Sequence, residues 1–284
     1  MTRLNSGLNR RRFLQAGSMF AVAAGMNLSS LLAARKQIPI GVQLYCVRRE
    51  LAEDMEGTLA QIAAIGFQGV EFADYFGRSA RELRALLDKN GLKCCGTHIM
   101  LEDMLGDKLE ETIEFNQAIG NPYLIIRWLG EERRNSKSSF LKTVELINEV
   151  SANLEPDGMK VGYHNHDYIF KSFDGEMLWN MLADEADSRV ILQLDTGNAS
   201  MTGVDAVGLL RRNNGRAGTI HIKPYSSKRR DAFIGDDELA WDTIIELCEG
   251  PAGTEWYIVE YEEEGHDPVD ALRQNYLNFK KLLS

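Results

Sequence analysis

Two imidazoles stand two residues apart in "GYHNHDY" (162–168), just after the short apolar run that begins at Met159. In a strand, positions i and i+2 share a face, so His164 and His166 point the same way. Further along, Asp195 closes the run "LQLD", His221 and Lys223 alternate in "TIHIK", and Glu260 lies in "YIVEYE". Each of these groups ends an apolar run. Imidazole and carboxylate together make a mixed nitrogen and oxygen donor set, which suits Mn, Fe, Co or Zn better than Ca. Taken singly, a strand histidine can be a hydrogen-bonded core residue, Asp195 before Thr196-Gly197 can start a turn, and Glu260 can open a solvated acidic run through Glu264. Together, at consecutive strand ends, they predict a metal centre. A buried charge needs a counter-charge or an ion.

The elements that must carry these residues are legible as alternation. Eight short apolar runs recur roughly every 30 residues, the repeat of a βα unit. They occupy 38–45, 69–73, 92–99, 122–128, 159–166, 190–195, 218–223 and 256–261. Helix-like spacing fills 58–65, 80–87, 109–119 and 140–154, ending at Gly66, at Asn90-Gly91, at Gly120 and before Pro156, and a last helix over 270–283 is expected beside the first. The first run leads into "GVQLYCVRREL", with no Gly-rich phosphate loop, which counts against an open dinucleotide-binding sheet. The expectation is one α/β domain, a single (β/α)8 TIM barrel over residues 35–284, with its chemistry at the C-terminal ends of the strands. His98, Arg127 and Trp128 end the third and fourth runs and are expected to contact substrate, Trp128 by stacking on a sugar face. Glu71 and Tyr45 share that location. The charged stretch 226–241 is long for a βα loop, and is expected either as a lid or as a solvated loop.

The formal charge is -10, which argues against a nucleic-acid partner. Residues 1–34 differ from the rest. Their only charges are four arginines, three of them at 10–12 before Phe13-Leu14 and an Ala-, Gly- and Ser-rich stretch. This looks like a twin-arginine export signal, which predicts use of the twin-arginine machinery, a periplasmic or otherwise exported product, and no stable membrane anchor after processing. The interrupted apolar run fits a spanning helix poorly. Four cysteines without a CxxC pair are expected as buried thiols.

From about Ile38 onward the chain resembles the xylose-isomerase-like barrels described as sugar phosphate isomerases/epimerases, on "GYHNHDYIF", "LQLDTGN", "TIHIKPY" and "YIVEYE". The resemblance implies a divalent metal (Mn, Co, Fe or Zn, with Mg admissible) on Asp195, His221 and Glu260. His164 stands where such barrels carry a glutamate, as the fourth ligand. His166 would then face substrate, although the order of those two roles stays open. Asn198 occupies a position where epimerases and related abasic-site endonucleases carry a histidine, and it is expected at the substrate. The ligands of the endonuclease cluster are missing, so DNA repair is set aside. The implied reaction is proton abstraction beside a sugar carbonyl, giving isomerisation or epimerisation, with Glu260, His166 and Lys223 as proton carriers. Lys223 acting as base would need a lowered pKa; as the alternative it would donate to a substrate hydroxyl. A histidine at 164 removes one of the glutamate pair used by ketose 3-epimerases. That leaves a 3-keto-glycoside lyase or hydratase, or a non-catalytic sugar-binding barrel, as competing readings.

Overall fold

The computed structural model describes residues 37–284, and the arginine motif with its apolar stretch lies outside them. Ile38–Ser284 forms one compact unit. Its strands are β1 Ile40–Gln43, β2 Gly69–Phe72, β3 Lys93–Met100, β4 Tyr123–Trp128, β5 Lys160–His164, β6 Ile191–Gln193, β7 Thr219–Ile222 and β8 Trp256–Val259. Strands β1 to β6 pair in parallel in sequence order, as do β7 and β8, and β1 pairs with β8 through Ile40 opposite Tyr257. The remaining seam, β6 to β7, is drawn together by a bridge between Asp195 and His221, with His221 N–H donating to the Leu194 carbonyl at 2.8 Å. The barrel closes at the residues singled out for chemistry.

The helices start and stop where local chemistry directs. Met55–Ile65 is capped by the Asp54 carboxylate accepting from Gly57 N–H, and ends at Gly66 with φ 116°. Ala80–Asn90 begins with a reciprocal Ser79/Glu82 capping box and stops at a left-handed Gly91. The last helix, Pro268–Leu282, packs beside the first as expected: Tyr276 donates to the Gly66 carbonyl, and its ring meets Phe67 edge-on. A small antiparallel hairpin, Ser172–Phe173 with Glu176–Met177, follows β5 and was not anticipated, though its turn residues Asp174-Gly175 both take positive φ, a usual hairpin signal.

Period two sorts the strands' side chains. Val42, Val70, Phe72, Leu124, Ile126, Val161, Tyr163, Leu192, Ile220, Ile222, Tyr257 and Val259 join the large core between sheet and helices. The opposite parity forms a separate small apolar group inside the barrel, Tyr123, Ile125 and Ile191 with Trp256 against them. Continuing that parity toward the C-terminal ends gives Gln43 and Tyr45, Glu71 and Ala73, Arg127, His164 and His166, Gln193 and Asp195, His221 and Lys223, and Glu260. Apolar residues plug the barrel's lower part and polar residues fill its upper part. One glycine makes this arrangement possible. A Cβ at Gly96 would come within 2.5 Å of Glu71 Oε1, so the bare backbone there leaves room for a buried carboxylate.

Candidate metal centre

His164, Asp195, His221 and Glu260 are all buried, and each brings one donor atom within 4.8 Å of the others. His221 is held on both sides: its Nδ1 lies 2.6 Å from Glu260 Oε2, and its Nε2 lies 2.6 Å from Glu71 Oε2. Although burial opposes the imidazolium, these two carboxylates push the His221 pKa up to about 10. Asp195 has one oxygen engaged by Asn198 N–H at 2.7 Å, while its other oxygen, Oδ2, is buried with no hydrogen-bond partner. Burial pushes the Asp195 carboxyl up to about 7, against the pull of Lys223. This buried oxygen has cationic nitrogens only at 3.8 Å, His221 Nδ1, and 4.0 Å, Lys223 Nζ, and nothing at hydrogen-bond distance. The donor set and this orphaned oxygen fit a divalent ion.

Lys223 lies between carboxylates, 2.7 Å from Glu260 Oε1 and 2.8 Å from Glu262 Oε2. Burial disfavours its ammonium form, but Glu260, Asp195 and Glu262 outweigh burial and hold it protonated, the opposite of the lowered value expected of a base. Glu260 has both oxygens occupied. Against the cost of burial, Lys223 and His221 hold its carboxyl well below the usual range. His164 is pushed well below the usual histidine value by burial and by His221 and His98. His166, one pleat further out, has a buried Nδ1 without a partner, and burial lowers its pKa to about 4.

Above the donors lies a cavity of about 500 Å³ whose wall includes His98, Arg127, Trp128, His164, His166 and Glu260. Tyr45 and Glu262 also line it. Trp128 is 41% exposed and meets His166 edge-on at 5.5 Å, with the Arg134 guanidinium near its ring. Arg127 is fixed by donating to the Ala73 carbonyl at 2.9 Å. Asn198 does not line the cavity. Its backbone N–H donates to the capping Asp195 carboxylate and its side chain donates to the Asn165 carbonyl, so it braces the scaffold where substrate contact was expected. Asn165 in turn accepts from Asp195 N–H at 2.7 Å. Glu71 is fully buried beneath the centre and does not face the cavity. The stretch 226–241 is no lid here: Ile234 is buried, its N–H bonds Asn275 on the last helix, and the stretch gives the cavity no residue.

Reading individual runs for ionisable ends overlooked Gln43, Gln193 and Glu262. Their parity was available, since Gln193 precedes Asp195 by two and Glu262 follows Glu260 by two.

The xylose isomerase-like TIM barrel family matches residues 59–282, and the chain belongs to that family. No curated protein matches the sequence. Among solved structures, a sugar phosphate isomerase/epimerase from Parabacteroides distasonis superposes with a TM-score of 0.73 at 20% identity, over 86% of this chain and 96% of that one. The IolI protein, solved with a bound zinc atom, gives 0.68 at 13% identity, over 87% and 98%. An L-ribulose 3-epimerase gives 0.63 at 14% identity, over 87% and 95%. At such identities the likeness is one of fold.

Proposed function

We propose that the chain is a divalent-metal-dependent sugar isomerase or epimerase, with His164, Asp195, His221 and Glu260 as the ligands of a Mn, Co, Fe, Zn or Mg ion. The observation that carries this reading is the buried Asp195 Oδ2, without a hydrogen-bond partner, among four converging buried donors. A zinc atom in one relative of the same fold supports it. When bound, the ion would stabilise negative charge developing on a substrate oxygen as a neighbouring carbon loses its proton. His166 is the proton acceptor: it lines the cavity with a buried Nδ1 that has no hydrogen-bond partner, and burial keeps its imidazole neutral. Lys223, held as an ammonium and not itself part of the cavity wall, orients the Glu260 and Glu262 carboxylates that are. Glu260, besides serving as a ligand, holds the Lys223 ammonium through its Oε1. Trp128 offers a half-exposed ring face to the sugar, and His98 and Arg127 supply donors along the cavity wall.

A second reading, elimination from a 3-keto-glycoside, is favoured by space. A neighbouring chamber of about 540 Å³ shares Ala73, His98 and Arg127 with the site, and Tyr75 and Phe115 line it. A free monosaccharide leaves that chamber empty, whereas an aglycone would occupy it. Residues 1–34 are proposed to direct twin-arginine export to the periplasm. Paired Arg11→Lys and Arg12→Lys substitutions should leave the product in the cytoplasm on fractionation.

Metal content by mass spectrometry decides the main reading. About one equivalent per chain is expected in the wild type, and a loss of about tenfold or more in Asp195→Ala and in His164→Ala. Wild-type protein that stays metal-free after reconstitution sinks it and leaves a sugar-binding barrel. In heavy water, deuterium entering a ketose α-carbon marks an epimerase, and release of an aglycone from a 3-keto-glycoside marks the lyase.

A further inference from the structure

We propose that Glu71 and Gln193 are positioning residues that set which nitrogen each central histidine presents, so that His164 offers Nε2 and His221 offers Nδ1. The proposal rests on the metal reading above for its purpose, though not for its geometry. Glu71 is wholly buried and its carboxylate can only accept hydrogen bonds. Its Oε2 receives Gln43 Nε2 at 2.7 Å and His221 Nε2 at 2.6 Å. The contacting His221 nitrogen must therefore keep its hydrogen, and Nδ1, which without an ion gives its own to Glu260 Oε2 at 2.6 Å, is the nitrogen an ion on the side of Glu260 and Asp195 would take in place of that proton.

The second arm runs through an amide. Glu71 Oε1 accepts from Gln193 Nε2 at 2.8 Å, and the same Nε2 donates to Thr219 Oγ1 at 2.8 Å. With its NH₂ end fixed by a carboxylate, Gln193 must turn its oxygen the other way, where Oε1 lies 3.0 Å from His164 Nδ1 and 2.9 Å from His98 Nε2. Both ring atoms must donate to it. His164 is thereby held as the Nδ1–H tautomer with the lone pair on Nε2. A glutamate at position 164 would need no such control, since both its oxygens accept. A histidine there needs its tautomer chosen, and the chain of acceptors from Glu71 chooses it.

Imidazole nitrogens can be read directly. The chain has only five histidines, so long-range ¹H–¹⁵N correlation spectra of ¹⁵N-histidine-labelled, metal-free protein can be assigned by single substitution. The expected wild-type result is His164 protonated on Nδ1 and bare on Nε2; protonation on Nε2 overturns the proposal without any variant having to fold. In Glu71→Gln the new NH₂ meets the Gln193 NH₂, the Gln193 amide reverses, and His164 should switch to the Nε2–H form. An unchanged tautomer in a folded Glu71→Gln protein also overturns it. Zinc affinity by chelator competition should fall about 10- to 100-fold in Glu71→Gln and in Gln193→Met, which leaves the Glu71 charge in place. Unchanged affinity in both variants counts against the proposal. Wild-type protein that binds no zinc but shows the Nδ1–H tautomer defeats the metal reading and leaves the relay standing.

Discussion

His221 carries its proton between two carboxylates, and an ion would have to displace it. At pH 7, with its pKa raised to about 10, His221 is charged, while burial raises the Asp195 carboxyl toward its protonated form. Zinc binding should therefore release between one and two protons per ion near pH 7, read as the dependence of calorimetric heat on the ionisation enthalpy of the buffer. The sign for stability follows from the same shift. A histidine whose folded value lies above the unfolded 6.5 contributes stability that is complete below 6.5 and is lost as pH rises through about 10. Metal-free protein in chelator should show a falling melting temperature between pH 7 and 10. Zinc-loaded protein should stay flatter, because the ion replaces the titrating proton. A flat profile without metal would contradict the charged Glu71–His221–Glu260 arrangement.

At the scale of elements, strand parity organised the site and was the most legible feature of the sequence. The eight apolar runs predicted the eight strands, and Asp195, His221 and Glu260 fall at or just past their ends as expected. Less legible was the layer below, because Gln43, Glu71 and Gln193 look like ordinary polar residues until the barrel closes and sets them side by side. The state of Lys223, left open between a base and a hydroxyl donor, was hidden for a related reason, since it depends on Glu262, an apparent member of a solvated acidic run. The fate of 226–241 was hidden too, because docking of Ile234 depends on a helix some forty residues away. Gly96→Ala tests how tightly these elements are fitted: its methyl would press on Glu71, and a loss of about 1–3 kcal/mol is expected by denaturant titration, with weaker zinc binding. Trp128→Ala, on a half-exposed residue, should leave stability nearly unchanged and raise KM about threefold to tenfold for a sugar substrate.

Across the whole molecule, the barrel wall is insulated from its contents. One apolar layer lies between sheet and helices, a small plug lies within, and the polar centre sits above that plug. Among the described residues no helix is long and apolar enough to cross a membrane. The four cysteines, Cys46, Cys94, Cys95 and Cys248, are all buried and free, as expected from their spacing. Burial pushes the Cys94 and Cys248 thiols up to about 12 and raises Cys46 and Cys95 well above the ordinary value. The native barrel thus withholds both access and the reactive thiolate from an alkylating reagent. Those thiols make a built-in clock for unfolding. A fast alkylator should count zero labels per native chain and gain them only as the barrel opens. Cys46, whose Sγ accepts the Tyr261 N–H and so ties the turn after β1 to the end of β8, would time the parting of the seam where the first and last strands meet.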